Sequence, residues 1–192
     1  MGRGRRRRPI RLPGESIYLD TLEREHCRKL GDAYEPESPL PSQRLNLGVS
    51  RESADKWFDD MQAKQGKQQL YLGIFRSDGE PIGDIQLADI DWINRTATLG
   101  AGLARREDRG KGYGTDASVV LLRYAFRELG LYRVSASTAE YNAPGQRSLE
   151  KLGFVKEGVR RKAVLAGGKR WDSIIYGMLA EEFADPPRHK VA

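Results

Sequence analysis

The clearest chemistry in this sequence lies in six consecutive residues, Arg109-Gly110-Lys111-Gly112-Tyr113-Gly114. Glycines at alternate positions leave one side of the backbone bare and permit positive φ. Successive amide N–H groups can then converge on one concavity, flanked by the cations of Arg109 and Lys111. Such a nest suits a pyrophosphate. Other phosphate loops fit less well. A Walker A loop needs glycine, four residues, then Gly-Lys-Ser/Thr; here Arg105 stands at the first glycine and Gly112 follows Gly110-Lys111. A dinucleotide fingerprint needs a third glycine where Thr115 stands, and an acid about 20 residues on, where residues 132–139 have none. Three glycines by themselves make only a flexible turn. The flanking elements decide the matter.

A strand over Thr96–Ala104 precedes the loop and a helix over Thr115–Leu129 follows it. Val119, Leu122, Phe126 and Leu129 form one apolar stripe on that helix, and Gly130 is a natural cap. The helix start adds unsatisfied N–H groups and the positive end of its dipole. Upstream, Ile17–Leu22 reads as a strand, Glu23–Leu30 as a helix ended by Gly31, and Tyr34–Pro41 as a proline-rich loop. Ser50 suits an N-cap for a helix through Lys64. Leu70, Leu72 and Ile74 alternate as a strand, Asp78-Gly79 turns, Ile82–Leu87 pairs back, and Asp91–Arg95 turns again. Tyr132–Thr138 is a strand and Asn142–Leu152 a short helix ended by Gly153. Phe154–Arg161 and Trp171–Leu179 form a final hairpin turning near Gly167-Gly168. This order predicts a mixed α/β (α+β) sandwich.

The chain has 192 residues, enough for one domain, with 39% hydrophobic and 31% charged residues. We expect a disordered basic arm over 1–13, one domain over 14–183 and a tail over 184–192. The arm holds Arg3, Arg5, Arg6, Arg7, Arg8 and Arg11. Without these six, 27 Lys+Arg balance the 27 Asp+Glu, so the +6 excess reads as a property of the arm and the body as neutral. Cys27 is the single cysteine, which rules out an internal disulfide and argues against a cysteine metal site. No apolar run approaches the ~20 residues of a membrane span. A reducing cytoplasm fits this composition.

The segment from Arg109 to Ala117 resembles the acyl-CoA signature of the GCN5-related N-acetyltransferases (the GNAT superfamily). A second block is similar as well: Asn142, followed eleven residues later by Gly153-Phe154, with Ser148-Leu149-Glu150-Lys151-Leu152 between. Ser50–Phe58 and Gly83–Asn94 resemble the RimJ/RimL-like branch. The resemblance implies a three-layer sandwich around a mostly antiparallel sheet. Its strands Thr96–Ala104 and Tyr132–Thr138 part in a V, and helices cover both faces. It implies acetyl-CoA as co-substrate, with no metal. The pyrophosphate would lie on Arg109, Gly110, Lys111, Gly112, Tyr113, Gly114 and Thr115. The pantetheine would pair with backbone at Leu103 and Ala104, and Asn142 would hydrogen-bond it or cap its helix. A homodimer stays open.

In such enzymes an amine attacks the thioester carbonyl directly, so a proton must leave an ammonium of pKa ~10. A carboxylate can accept it. The positions where relatives keep their acid or base hold Leu149, Gly145 and Val164 here, so none carries over. Asp84, Asp89 and Glu140 are the candidate bases, and Tyr141 and Ser148 the candidate donors. His26 and His189 lie outside the motifs. The expected acceptor is a primary amine on a protein N-terminus, a polyamine or an amino sugar. The rival reading is an RNA- or ribosome-binding protein with a degenerate acetyltransferase body, contacting phosphates through Arg3–Arg11.

Overall fold

The computed structural model describes residues 10–34 and 50–185. Within them eight strands form one sheet. These are β1 (Arg11–Pro13), β2 (Ile17–Asp20), β3 (Leu70–Arg76), β4 (Pro81–Asp91), β5 (Thr96–Leu103), β6 (Arg133–Ala139), β7 (Val155–Ala166) and β8 (Lys169–Leu179). The order across the sheet is β1-β2-β3-β4-β5-β6-β8-β7. Only β5 and β6 run parallel; every other neighbour pair is antiparallel. Four α-helices cover the sheet: α1 (Arg24–Ala33), α2 (Arg51–Lys64), α3 (Tyr113–Arg123) and α4 (Ala143–Lys151).

Strand alternation sorts the side chains onto two faces. On one face Leu70, Leu72 and Ile74 of β3 pack with Ile85 and Leu87 of β4, Ala97 and Leu99 of β5, and Ala117, Val120 and Leu121 of α3. On the other face Tyr71 and Phe75 pack with Cys27 and Leu30 of α1, Met61 of α2, and Ala104. We call these the α3 face and the α1/α2 face. His26 serves the second face: its Nδ1 accepts the Glu23 N–H at 3.1 Å and its ring meets Phe75 edge-on at 5.0 Å.

Several boundaries differ from the sequence expectation. Arg11–Pro13, expected in a disordered arm, is the edge strand β1, paired with Tyr18–Asp20. Asp185, expected in the tail, accepts a 2.6 Å hydrogen bond from Arg123. Gly31 does not end α1. An added Cβ there would lie 3.7 Å from Ala54 of α2, so the glycine serves close helix packing. The helix expected to run to Leu129 changes pitch instead. Tyr124–Glu128 form a π turn, closed by the Leu129 N–H on the Tyr124 carbonyl at 3.0 Å. Gly130 follows with φ 65°, as a cap requires. Residues 1–9 and, in the expected proline-rich loop, residues 35–41 lie outside the described residues. No described helix is long and apolar enough to cross a membrane.

Candidate active site

The glycine loop lies where a strand meets a helix start. Gly110 and Gly112 have φ of 75° and 88°, and Gly112 is the N-cap of α3. A Cβ added at Gly110, Gly112 or Gly114 would meet nothing within 4 Å, so the bare side of the loop faces open space. Arg109 lies behind the loop: its Nη2 donates to the Leu103 carbonyl at 3.2 Å, and its buried Nε has no partner among the described residues. Asp108, which the sequence reading passed over, is 1% exposed and lies 3.7 Å from Arg76. Asp116 would repel an anion at the helix start. Its carboxylate instead accepts the N–H groups of Glu15 and Ser16 at 3.0 and 2.7 Å, which leaves the first-turn amides to the loop. Thr115 and Ser148 meet at 3.3 Å and join α3 to α4.

The sheet opens beside this loop. The β5–β6 pairing runs only from Thr96↔Arg133 to Thr98↔Ser135. Beyond it, Leu99–Leu103 and Ala136–Ala139 part, which is the predicted V. The backbone alternation on β5 fixes which groups line it. The Ala104 N–H donates to Ile82 of β4 at 2.9 Å, so Ala104 faces its neighbour strand and not the opening. By the same alternation Ala101 and Leu103 direct their N–H and C=O groups into the V. Of the two expected pantetheine partners, Leu103 turns its backbone groups toward the opening and Ala104 turns its N–H toward β4. Asn142 caps α4: its Oδ1 accepts the Gly145 N–H at 3.1 Å and its Nδ2 donates to Thr138 at 2.9 Å.

The candidate bases separate clearly. Asp84 sits on β4 opposite Gly102 of β5, at the open end of the V and on the α1/α2 face. It is 7% exposed. Both its oxygens accept phenolic O–H groups, Oδ1 from Tyr34 at 2.5 Å and Oδ2 from Tyr71. Neither tyrosine could be found from sequence, because the partners are 50 and 13 residues away and share no local signature. An added Cβ on Gly102 would lie 3.2 Å from the Tyr34 hydroxyl. Gly102 therefore leaves room for that hydroxyl, while Gly100 lies under the Gln86 side chain, 3.3 Å from an added Cβ. Asp89 is a correction. It is exposed in a bulge at the closed end of the V, with φ 50°. Glu140 turns toward β8, where its carboxylate accepts the Asp172 N–H at 3.2 Å. Tyr141 packs edge-on against Trp171 at 5.0 Å; its hydroxyl is buried without a partner among the described residues, and burial raises its pKa.

The family profile described as "Acetyltransferase (GNAT) domain" matches residues 34–155. The chain belongs to the GNAT acetyltransferases. Among relatives, the protein named "Putative ribosomal N-acetyltransferase YdaF" from Bacillus subtilis is 37% identical, over 88% of this chain and 94% of its own. A solved structure titled "Crystal structure of Probable acetyltransferase" superposes with a TM-score of 0.76 at 27% identity, covering 91% of this chain and all but 1% of its own (99%). Mycobacterium smegmatis RimJ, solved in complex with CoA-disulfide, gives a TM-score of 0.76 at 22% identity, covering 92% of this chain and 88% of its own, and so shares the fold. This GNAT protein is thus an acyl-CoA-dependent N-acetyltransferase. The rival reading of a binding module with a degenerate body finds no support in these relationships.

Proposed function

We propose that this enzyme transfers an acetyl group to a primary amine that enters from the α1/α2 face, with Asp84 as the proton acceptor. The observation that carries this reading is the position of Asp84. It is a buried carboxylate opposite Gly102, at the open end of the V. The phosphate loop belongs to α3, which packs on the opposite face. A cofactor arm entering from that side leaves the α1/α2 side for the acceptor.

Acetyl-CoA, when bound, supplies the acetyl group as a thioester. Arg109–Thr115 hold its pyrophosphate through loop amides and helix start. Leu103 and Ala101 offer backbone groups to the pantetheine, and Asn142 orders the wall across from them. The acceptor nitrogen must shed a proton before it can attack, and Asp84 takes it. Tyr141 keeps its own proton, because burial raises its pKa. Its buried hydroxyl, without a partner among the described residues, therefore has a hydrogen bond to donate.

Thiol release across a panel of amines tests the reaction, and Gly112→Asp tests the cradle. Aspartate tolerates the left-handed backbone better than most residues, and the site has space for it. The variant should fold yet lose acetyl-CoA affinity by ~10²-fold or more, through repulsion beside the pyrophosphate. Unchanged affinity by calorimetric titration would remove the loop from cofactor binding.

A further inference from the structure

The β7–β8 hairpin overturns the picture of an evenly neutral body. Residues 158–171 contain Arg160, Arg161, Lys162, Lys169 and Arg170 and no acid. The last β6–β8 pair is Ala139↔Ser173, and the hairpin runs on through Val164↔Trp171 to Ala166↔Lys169. It is a two-stranded ribbon that grows from the β6 wall of the V, past the open end.

Cross-strand partners share a face. Asp84 pairs with Gly102, and Thr98 of the same β5 face pairs with Ser135. Two and four residues on from Ser135 are Ser137 and Ala139, which pair with Ile175 and Ser173, and Ser173 pairs with Arg160. Arg160 therefore projects from the same face of the sheet as Asp84. Counting back along β8, so do Trp171 and Lys169, and the Lys169 ammonium sits 4.2 Å from the centre of the Trp171 ring. Arg160 and Lys169 are exposed and have no ion pair among the described residues. Of the nearby acids, Asp172 lies on the opposite face and is engaged by Lys162, whose N–H it accepts at 2.9 Å and whose ammonium is 3.4 Å away, and Glu140 accepts the Asp172 N–H at 3.2 Å.

We infer that the acceptor is a polypeptide amino terminus followed closely by acidic residues, drawn along the Arg160–Trp171–Lys169 side of the ribbon. This rests on the reading that amines enter on the Asp84 face. A polyamine carries a second cation toward this ribbon, whose own charges on that face are positive. The cations are strung along the ribbon and do not converge, which suits an extended chain better than a small anion. From Ser173 to Lys169 the overhang is roughly 13 Å. Four extended residues span about the same length.

The test uses the whole enzyme and three peptides of equal length, with Asp/Glu, Gln/Ser or Lys/Arg at positions two to five, and spermidine as a fourth acceptor. The acidic peptide should show kcat/KM at least ~10-fold above the basic one at low salt, with the gap closing as salt rises. Arg160→Glu with Lys169→Glu should remove or reverse the preference. Arg170→Glu, on the opposite face, should keep it. Acetyl-CoA titration of each variant checks that it is folded. Equal use of the peptides, preference for spermidine, or equal effects of the two faces overturns the inference while leaving the acetyltransfer reaction standing. Salt-sensitive binding of single-stranded RNA to the ribbon, with no peptide preference, assigns the surface to nucleic acid and also overturns it. If no amine is acetylated, the proposed reaction and this inference fail together.

Discussion

At the scale of single residues, Asp84 is defined by what holds it. A buried carboxylate needs donors, and Tyr34 and Tyr71 supply one to each oxygen. Asp84→Asn should lower kcat by ~10²-fold with acetyl-CoA affinity unchanged, and the acidic limb of the pH–rate profile should vanish. A variant with wild-type rate and profile would show that the proton leaves by another route. Asp116 supports a second prediction. It pins the turn at Glu15–Ser16 to the start of α3, and Gly14 is small because a Cβ there would strike this carboxylate. Asp116→Ala should cost about 1–2 kcal/mol in urea unfolding, the worth of charge-assisted bonds at an exposed site. It should also weaken acetyl-CoA binding, since the helix start loses its anchor. The two effects appearing together would tie the β1–β2 turn to the cofactor side. The phosphate loop was legible in sequence because its chemistry is local. Asp84 was legible only as one carboxylate among several, since its two partners, Tyr34 just after α1 and Tyr71 on β3, lie 50 and 13 residues away.

At the scale of elements, most strands and helices follow the periodicity of their apolar residues. The departures have local causes. α1 runs through Gly31 because α2 packs against it, and α3 widens into a π turn before Gly130. The three-strand end of the sheet is tied by an ion pair that spans a strand. Arg133 of β6 reaches Glu157 of β7 across Gly177 of β8, with one bond at 2.7 Å. A side chain on Gly177 would collide with both partners. Gly177→Ala should therefore destabilise by about 1–3 kcal/mol, as overpacking does. The Arg133 guanidinium holds the Glu157 carboxyl below its ordinary pKa, chiefly by hydrogen bonding. The sign follows from linkage: a carboxyl with a depressed folded pKa stabilises the protein above its unfolded value of about 4.3, and that contribution is lost as pH falls through the folded value. Glu157→Gln should flatten this acid limb of stability, and should cost little once the pH has fallen below the folded value, where the wild-type carboxyl has lost its charge. A difference between variant and wild type that stays constant from pH 7 to 3 would show that the pair acts by packing and not by charge.

At the scale of the whole molecule, charge sums conceal charge placement. The body balances in number, yet the described surface carries a basic ribbon beside the V, while several acids elsewhere sit in ion pairs such as Arg28–Asp55 at 2.8 Å and Arg123–Asp185 at 2.6 Å. Composition could not reveal this, because the ribbon exists only once β7 and β8 pair and overhang β6. The N-terminal boundary shows the same limit. Six arginines made residues 1–13 read as one arm, but the chain enters the fold at Ile10, whose N–H donates to Thr21 at 3.2 Å. Leu12 packs against the core, and the Arg11 guanidinium lies 3.9 Å above the Tyr18 ring. β1 also covers the edge of β2, which would otherwise offer unpaired backbone to another chain. Two truncations should therefore behave differently. Removing residues 1–9 leaves β1 intact and should leave the urea midpoint unchanged. Removing residues 1–13 strips the Leu12 packing and the β1 ladder, and should cost about 1–3 kcal/mol. The longer truncation should also associate through the bared β2 edge, visible as concentration-dependent mass in light scattering. Equal stability and equal monomer content in the two truncations would return residues 11–13 to the arm; a loss confined to the longer one fixes the start of the domain at β1.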